Sequence, residues 1–447
     1  MLLETLTLYK LSDLIASNVL VIGDGYRAKN SELCPFKSGL PFARAGNINS
    51  GFQFDDADYL VAENLLKAGE KVSELGDVLF TSKGTVGRVA FVSEKTPRFV
   101  YSPQLTWWRV KDTKRIEPRF LYYWMHGREF CVQINGLRGQ TDMADYVSLR
   151  DQRQMMYVTL PPLDEQKAIA HILGTLDDKI ELNQQMNQTL EAIARALFKS
   201  WFIDFDPVRA KLDGRQPTGM DAETAALFPA EFEDSALGEI PKGWKIQTSE
   251  SIFSVKDGTH DSPKVAEAGY PLVTSRHLKK GYIDFDNTYL ISEDDFHEVN
   301  KRSKVDKNDV LITMIGTVGN LLFIDYEEVN FAIKNVGLFK TSEKPELSEY
   351  FYFYLRSDKI ENYLKIRQAG TTQSYITLKT LRTIPVLLPS SELVRLFSKS
   401  VTPQLQKITA TREESHLLVS IRDALLPKLL SGEIRVQDAE TVVEAVT

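Results

Sequence analysis

The chain has 447 residues, 43% of them hydrophobic and 26% charged, and carries a formal net charge of −7. Those values exclude a disordered or fibrous chain and leave room for two or three hydrophobic cores. They also exclude a strongly basic surface over the whole protein. The only cysteines, Cys34 and Cys131, lie too far apart in sequence for a C-x-x-C metal or redox pair, which fits a reducing cytoplasm.

In chain order, residues 1–162 read as one α/β domain. Short β-rich runs at 19–26, 41–48, 76–82, 87–93 and 105–110 are broken by Gly, Asn or Pro, with helical patterns at 118–130 and after Ser148. The opening residues lack the basic, apolar character of a leader. No stretch approaches the roughly 20 apolar residues of a membrane span, so neither export nor membrane insertion is expected.

Residues 163–211 read as one long helix. From Ile169, steps of four and three land on Leu173, Leu176, Ile180, Asn183, Asn187, Leu190, Ala194 and Leu197, a heptad seam that calls for a partner helix. Asp164, after Pro161-Pro162, is placed as the N-cap, and Asp206-Pro207 as the end, because proline disfavours helix in the residue before it. Residues 212–240 read as an exposed acidic linker, with six acidic residues and no Lys or Arg after position 217. Together with the acidic tail, 437–447, this stretch holds nine negative charges and no positive one, so the rest of the chain is close to neutral.

Residues 241–389 repeat the first domain. The segment from Asp77 to Phe91 matches the segment from Asp309 to Phe323 at nine of fifteen positions without a gap, at an offset of 232. Flanking blocks match in the same order: 41–63 with 271–293 at offset 230, Tyr146 with Tyr375 at 229, and Leu160-Pro161 with Leu388-Pro389 at 228. Residues 390–436 form a second long helical region, with Thr402-Pro403 as its cap. Its apolar positions Leu405, Ile408, Leu418, Ile421 and Leu425 are interrupted by Thr411, Arg412 and Ser415, a polar waist able to face Asn183 and Asn187 in an antiparallel pair. The expected fold is α/β (α+β): two tandem domains separated by two long helices in an antiparallel coiled coil, with pseudo-two-fold symmetry.

No catalytic signature survives inspection. Gly23-Asp-Gly25 lacks the rest of a dinucleotide fingerprint, Gly84-Thr-Val-Gly87 lacks the lysine of a P-loop, and the six histidines show no metal-ligand spacing. The matched glycine loops differ at Ser82, Lys83 and Arg88 against Met314, Ile315 and Asn320, as if one frame presented two surfaces to two short base sequences. Candidate DNA-contacting residues are Arg44, Lys83, Arg88, Arg138, Gln140 and Thr141 in the first half, and Arg276, Lys279, Arg367, Thr372 and Gln373 in the second.

Four segments then carry a family resemblance: LPPLDEQKAIA from Leu160, ARALFKSWFIDFDPVRAK ending at Lys211, GEIPKGW from Gly238, and RDALLPKLLSGEI from Arg422. The chain resembles the specificity subunit of type I restriction-modification systems over its whole length. The resemblance implies a non-catalytic subunit with two target recognition domains, each reading part of a bipartite double-stranded DNA target in the major groove. It implies conserved helices acting as a ruler, and assembly with two methyltransferase and two restriction subunits. S-adenosylmethionine, ATP and magnesium would belong to those partners, and this chain would bind no cofactor. Phe198, Trp201, Phe202, Phe205, Leu426, Leu429 and Leu430 are candidates to dock the methyltransferase, or equally to pack a core at the domain junction. The first half lacks the GEIPKGW opening and has only Leu8-Tyr9-Lys10-Leu11 in its place, which leaves its first strand undefined. Two other readings stay open: a DNA- or protein-binding scaffold without a restriction partner, and a diverged single-chain DNA-modifying enzyme.

Overall fold

The computed structural model describes residues 6–49, 51–140, 145–279, 281–370 and 374–446. The chain divides into two compact units, Met1–Asn183 with Glu414–Thr447, and Gln184–Glu413.

The first unit has a strand at its start after all. Thr7–Lys10 pairs antiparallel with Tyr157–Leu160, joining the two ends of the domain. The main sheet is antiparallel in the order Leu20–Asp24, Leu105–Val110, Val78–Thr81, Val89–Phe91. Its side chains alternate between two interiors, as the two-residue period of a strand dictates. Val78, Phe80 and Trp108 face the helices, packing with Phe120, Trp124 and Phe130. Leu79, Leu105 and Trp107 face a smaller sheet that contains Leu40–Ala43 and Val100–Tyr101, packing with Ala43, Phe99 and Tyr101. The expected helix over 118–130 is two, Pro118–His126 and Arg128–Leu137, with Gly127 between them.

The second unit repeats the end-to-end strand pair and the four-stranded main sheet, with a smaller sheet of three strands where the first unit has four. Lys245–Thr248 pairs with Pro385–Leu388, and the main sheet runs Val255–Asp257, Val336–Phe339, Val310–Thr313, Leu321–Phe323. A smaller sheet holds Tyr289–Ile291, Tyr270–Thr274 and Ala332–Lys334. The helix Ser348–Leu355, SEYFYFYL, is apolar on every side and accordingly buried on every side. Its Tyr354 hydroxyl donates to the Pro385 carbonyl at 2.8 Å, and burial pushes that phenol up to about 12.

The central helix spans Leu163–Phe202 and the distal helix Ser391–Ser431. Every seam position from Ile169 to Leu197 is buried or half-buried, which at roughly 1.5–3 kcal/mol per fully buried large apolar side chain makes the seam a main stabilising element. In the first unit Asp177 accepts from Arg422 at 2.8 Å, and Asn183 Nδ2 donates to Glu414 at 2.8 Å and to Ser415 at 3.3 Å. In the second, the Thr411 hydroxyl donates to Asn187 Oδ1 at 2.5 Å and the rings of Phe198 and Phe397 lie 5.4 Å apart. Partner numbers fall as helix numbers rise, so the pairing is antiparallel within each unit. At the 228 offset Asn183 corresponds to Thr411 and Asn187 to Ser415, so the two polar contacts are copies of one another.

Four boundary expectations are corrected. Asp164 lies inside the first turn, since the helix begins at Leu163, straight after Pro161-Pro162. The same helix stops at Phe202, four residues early. Phe205 adopts a left-handed backbone and wedges against Trp244, and Asp206-Pro207 opens a second helix, Asp206–Leu212, where proline fits the first turn. Residues 212–240 are not a plain exposed linker: Ala225, Phe228 and Ile240 are buried, and Phe228 packs edge-on against Trp201. Thr402-Pro403 lies within the distal helix instead of capping it. Beside it the Ser398 and Thr402 hydroxyls donate to the two Glu349 oxygens at 3.2 and 3.0 Å, tying this turn to the helix Ser348–Leu355. The acidic tail is also ordered, as a helix Val436–Glu444 that buries Ala439 and Val443 in the first unit's core.

Candidate nucleic-acid interface

Each main sheet carries a hairpin whose tip is the repeated Gly-Thr-Val-Gly loop. Gly84 and Gly87, and likewise Gly316 and Gly319, adopt positive φ, which only glycine takes without strain. The threonine ahead of each loop closes it. Thr81 Oγ1 donates to the Thr85 carbonyl and accepts from Arg88 N–H at 3.0 Å; Thr313 does the same with Thr317 and, at 2.9 Å, with Asn320. A ribbon lies against each tip. Lys83 bridges to Tyr146 and Ile315 to Tyr375, while Gly84 N–H donates to Asp145 at 3.0 Å and Gly316 N–H to Ser374 at 3.1 Å.

The loop Arg44–Ile48 and its counterpart Thr274–Leu278 flank each tip. Asn47 Oδ1 caps the first by accepting Arg44 N–H at 2.8 Å; His277 Nδ1 caps the second by accepting Thr274 N–H at 3.1 Å. Burial, with the neighbouring Arg276, holds the His277 imidazole below the usual histidine range.

Of the six positions taken to present different surfaces, only some do so. Ser82 and Met314 are buried. Arg88 donates to the Ile48 carbonyl at 3.2 Å, and Asn320 donates to the Leu278 carbonyl at 3.4 Å, the repeat-equivalent atom. Two unlike residues therefore anchor the same loop. At the remaining pair Lys83 is exposed, whereas Ile315 is half-buried against the core, so the first tip presents a cation that the second lacks.

The remaining sequence candidates are spread around these loops. Arg44 is exposed but paired with Asp58 at 2.6 Å, and Arg138 lies 3.5 Å from Asp145. Arg276 is exposed beside His277, Lys279 reaches the Arg276 carbonyl at 2.9 Å, and Arg367 stacks on Tyr363 at 3.7 Å. Thr141, Thr372 and Gln373, and the side chain of Gln140, lie outside the described residues.

At the open end of each hairpin, away from the tip, sits a buried ion pair absent from the sequence candidates. Asp77, fully buried, accepts from Arg109 Nε at 2.7 Å, Arg109 Nη2 at 2.8 Å and the Tyr101 hydroxyl at 2.7 Å, and Glu74 takes the third Arg109 contact at 2.5 Å. Burial first, then the Asp77 carboxylate, pushes the Tyr101 phenol well above its ordinary value. In the second unit Lys340 stands in for Arg109, with Asp309 at 2.6 Å and Asp306 at 2.7 Å. The shared aspartates of the repeat thus start the strands that carry the tips. Gly25 and Gly258 are structural too: a Cβ on either would lie 2.0 or 2.4 Å from the Ser102 or Ile333 carbonyl oxygen.

The proposed docking residues are interior. Phe198, Trp201, Phe202 and Phe205 are at most 9% exposed and form an aromatic cluster with Tyr350, Trp244 and Phe397 in the second unit's core. Leu429 is buried in the first unit, with Leu426 and Leu430 packed beside it; Leu430 fills the space over Gly127. Core packing, the other role open to them, accounts for the five that are buried, while Leu426 and Leu430 remain half-buried. Among the described residues no group of three His, Cys, Asp or Glu is placed to hold a metal ion, and no helix is long and apolar enough to cross a membrane.

The type I restriction modification DNA specificity domain matches the chain twice, over residues 8–192 and 241–404. The type I restriction enzyme HindI specificity subunit of Haemophilus influenzae is 27% identical over 431 residues, covering 82% of this chain and 88% of that protein. The MjaIX specificity subunit of Methanocaldococcus jannaschii is 25% identical over 371 residues, covering 81% and 78%. The crystal structure of the S subunit of the type I restriction-modification system from M. genitalium shares the fold, with a TM-score of 0.57, 17% identity, and coverage of 95% and 96%. Two copies of one domain, built on two units of one topology, make this chain a member of the type I restriction-modification DNA specificity family and, within it, a specificity subunit.

Proposed function

We propose that the two units each bind one half of a split, asymmetric DNA target in the major groove, through the hairpin tip, its ribbon and the capped loop beside it. The observation that carries this is the doubled tip: one backbone frame repeated, with an exposed Lys83 in one copy and, at the same place in the other, a half-buried Ile315 packed against the core. Fixed frames bearing different side chains are what two different base sequences require. Lys83, Arg276 and the loop residues around them would make the contacts to bases and phosphates. The long helices would set the gap between half-sites. Deleting one heptad around Asn183 is then expected to shorten the gap without altering the bases read.

With a net charge of −7, the chain would share phosphate contact with methyltransferase subunits, which bind S-adenosylmethionine and modify adenine, and with restriction subunits, which use ATP and magnesium. The test is co-expression with its methyltransferase partner in a methylation-free host, followed by mapping of modified adenines. A split motif with a fixed gap is expected. Absence of methylation, with both proteins soluble and associated, would refute the reading.

A further inference from the structure

A short crossover segment in each unit, with the strand residues beside it, touches the hairpin, the capped loop and the loop that follows the first strand of the main sheet. In the first unit it is Ser102-Pro103-Gln104: Gln104 O accepts Ser82 N–H of the hairpin at 2.8 Å, Gln104 Oε1 accepts Ala45 N–H of the capped loop at 2.9 Å, and Tyr26 N–H donates to the adjoining Tyr101 at 2.7 Å. In the second it is Lys334-Asn335: Asn335 O accepts the Ser275 hydroxyl at 3.1 Å, Thr259 N–H donates to Ile333 at 3.0 Å, and Val336, the next residue, pairs with Thr313 of the hairpin. Gln104 and Asn335 occupy the same place, each between the last strand of the small sheet and the central strand of the main one. Both are amides.

We propose that Gln104 and Asn335 are base-reading residues, one for each half-site. This rests on the DNA-recognition role above and names the side chains that carry it. An amide whose plane is held by a bond to one of its two groups presents the other, in a fixed direction, to a base edge in the major groove. Both planes are held. Gln104 is exposed, and its oxygen is pinned by Ala45, which leaves Nε2 outward.

Asn335 is pinned through a relay. Arg302 donates to one oxygen of the buried Asp257, the other oxygen lies 3.1 Å from His260 Nε2, and His260 Nδ1 lies 2.8 Å from the Asn335 amide. The Asn335 atom that faces the imidazole is Oδ1, as Oε1 is the tied atom of Gln104. The amide nitrogen is then the group left to face outward. Asn335 also sits at φ 54°, a left-handed backbone that asparagine tolerates better than most residues. His260 and Asp257 are positioning residues in this arrangement.

The test is methylation mapping with the full chain co-expressed with its methyltransferase partner. Gln104→Ala should relax one position of one half-site, and Asn335→Gly, which keeps the left-handed backbone available, one position of the other. Discrimination at the affected position should fall about 5-fold, the lower end of what a good bidentate contact supplies, while the opposite half-site stays unchanged. His260→Ala should relax the same position as Asn335→Gly, and His260→Gln should restore part of it. An unchanged motif in both variants, or a uniform loss over all sites without relaxation, overturns the assignment. A wild-type complex that yields no split motif overturns the recognition role itself, and the assignment with it.

Discussion

Replacing Asp77 by alanine should destabilise the first unit more than any other single carboxylate change. The Arg109 guanidinium is 4% exposed as a residue and gives two of its donors to the fully buried Asp77 carboxylate, at 2.7 and 2.8 Å. Removing one partner of a buried pair costs about 3–5 kcal/mol, because the remaining charge stays desolvated without its counter-ion. Glu74 and the Val72 carbonyl retain part of the guanidinium, which argues for the lower end of that range. For a unit of 150–250 residues each kcal/mol moves Tm by roughly 2–4 °C, so a fall of about 6–12 °C is expected. Calorimetry of the full chain reads it, with Asp309→Ala as the matched change that should lower the second unit's transition. Asp77→Ala combined with Arg109→Met should recover much of the loss, since a buried pair exchanged for apolar side chains is often close to neutral. A fall below about 2 °C, or a double variant no better than the single one, would refute the reasoning.

Asn183→Leu leaves the Ser415 hydroxyl and Glu414 facing an apolar side chain, and should cost about 1–3 kcal/mol of the first unit's stability, read by urea denaturation. Phe202→Ala should cost about 3–5 kcal/mol by opening the aromatic cluster; its methyltransferase affinity, measured by titration on the folded fraction, should stay near wild type, and a selective loss of binding would restore a docking role. His277 has a folded-state pKa below its ordinary 6.5, so its stabilising contribution is complete above that value and is lost as pH falls below it, when the unfolded chain takes up the proton first. His277→Asn, the residue of the first unit's equivalent cap, should remove that share of the acid sensitivity of the second unit's melting temperature.

The duplication was legible because the strand and glycine loop from Asp77 to Phe91 carry the constraints of both a buried ion pair and a tight turn, and few residues satisfy both. The heptad seam was legible because its burial follows the four-and-three spacing without interruption. The end of the central helix was not. An Asp-Pro step stops one helix or starts the next with the same letters, and the choice was made by Phe205 packing against Trp244, a residue 39 positions away. The cluster Phe198, Trp201, Phe202 and Phe205 hid for a related reason: an apolar helix face has the same spacing whether a partner or the chain's own second unit covers it. The opening strand Thr7–Lys10 was obscure because Tyr157–Leu160, not its own sequence, selects it.

The candidate interface was legible as a place and much less as a set of side chains. Arg88 and Asn320 differ in charge and size, yet both spend their donors on the same carbonyl of the neighbouring loop, so a difference in sequence did not mean a difference in presented surface. Gln104 and Asn335 went unnoticed because their immediate neighbours share no identity; carrying the repeat offset through the strand that follows, near 231, would have aligned them. Arg109 and Lys340 show why such alignment must be followed into the structure. A planar fork binds both Asp77 oxygens and reaches Glu74, whereas an ammonium takes one oxygen each from Asp309 and from Asp306, the acid at Glu74's place in the repeat, so the same two acid positions hold a fork in one unit and a point charge in the other. The interior of each unit therefore kept a geometry while changing the partners that enforce it. At the rim the constraint is weaker, and there Lys83 faces Ile315, Asn47 faces His277 and Gln104 faces Asn335. Those pairs are where two copies of one fold acquire two chemistries.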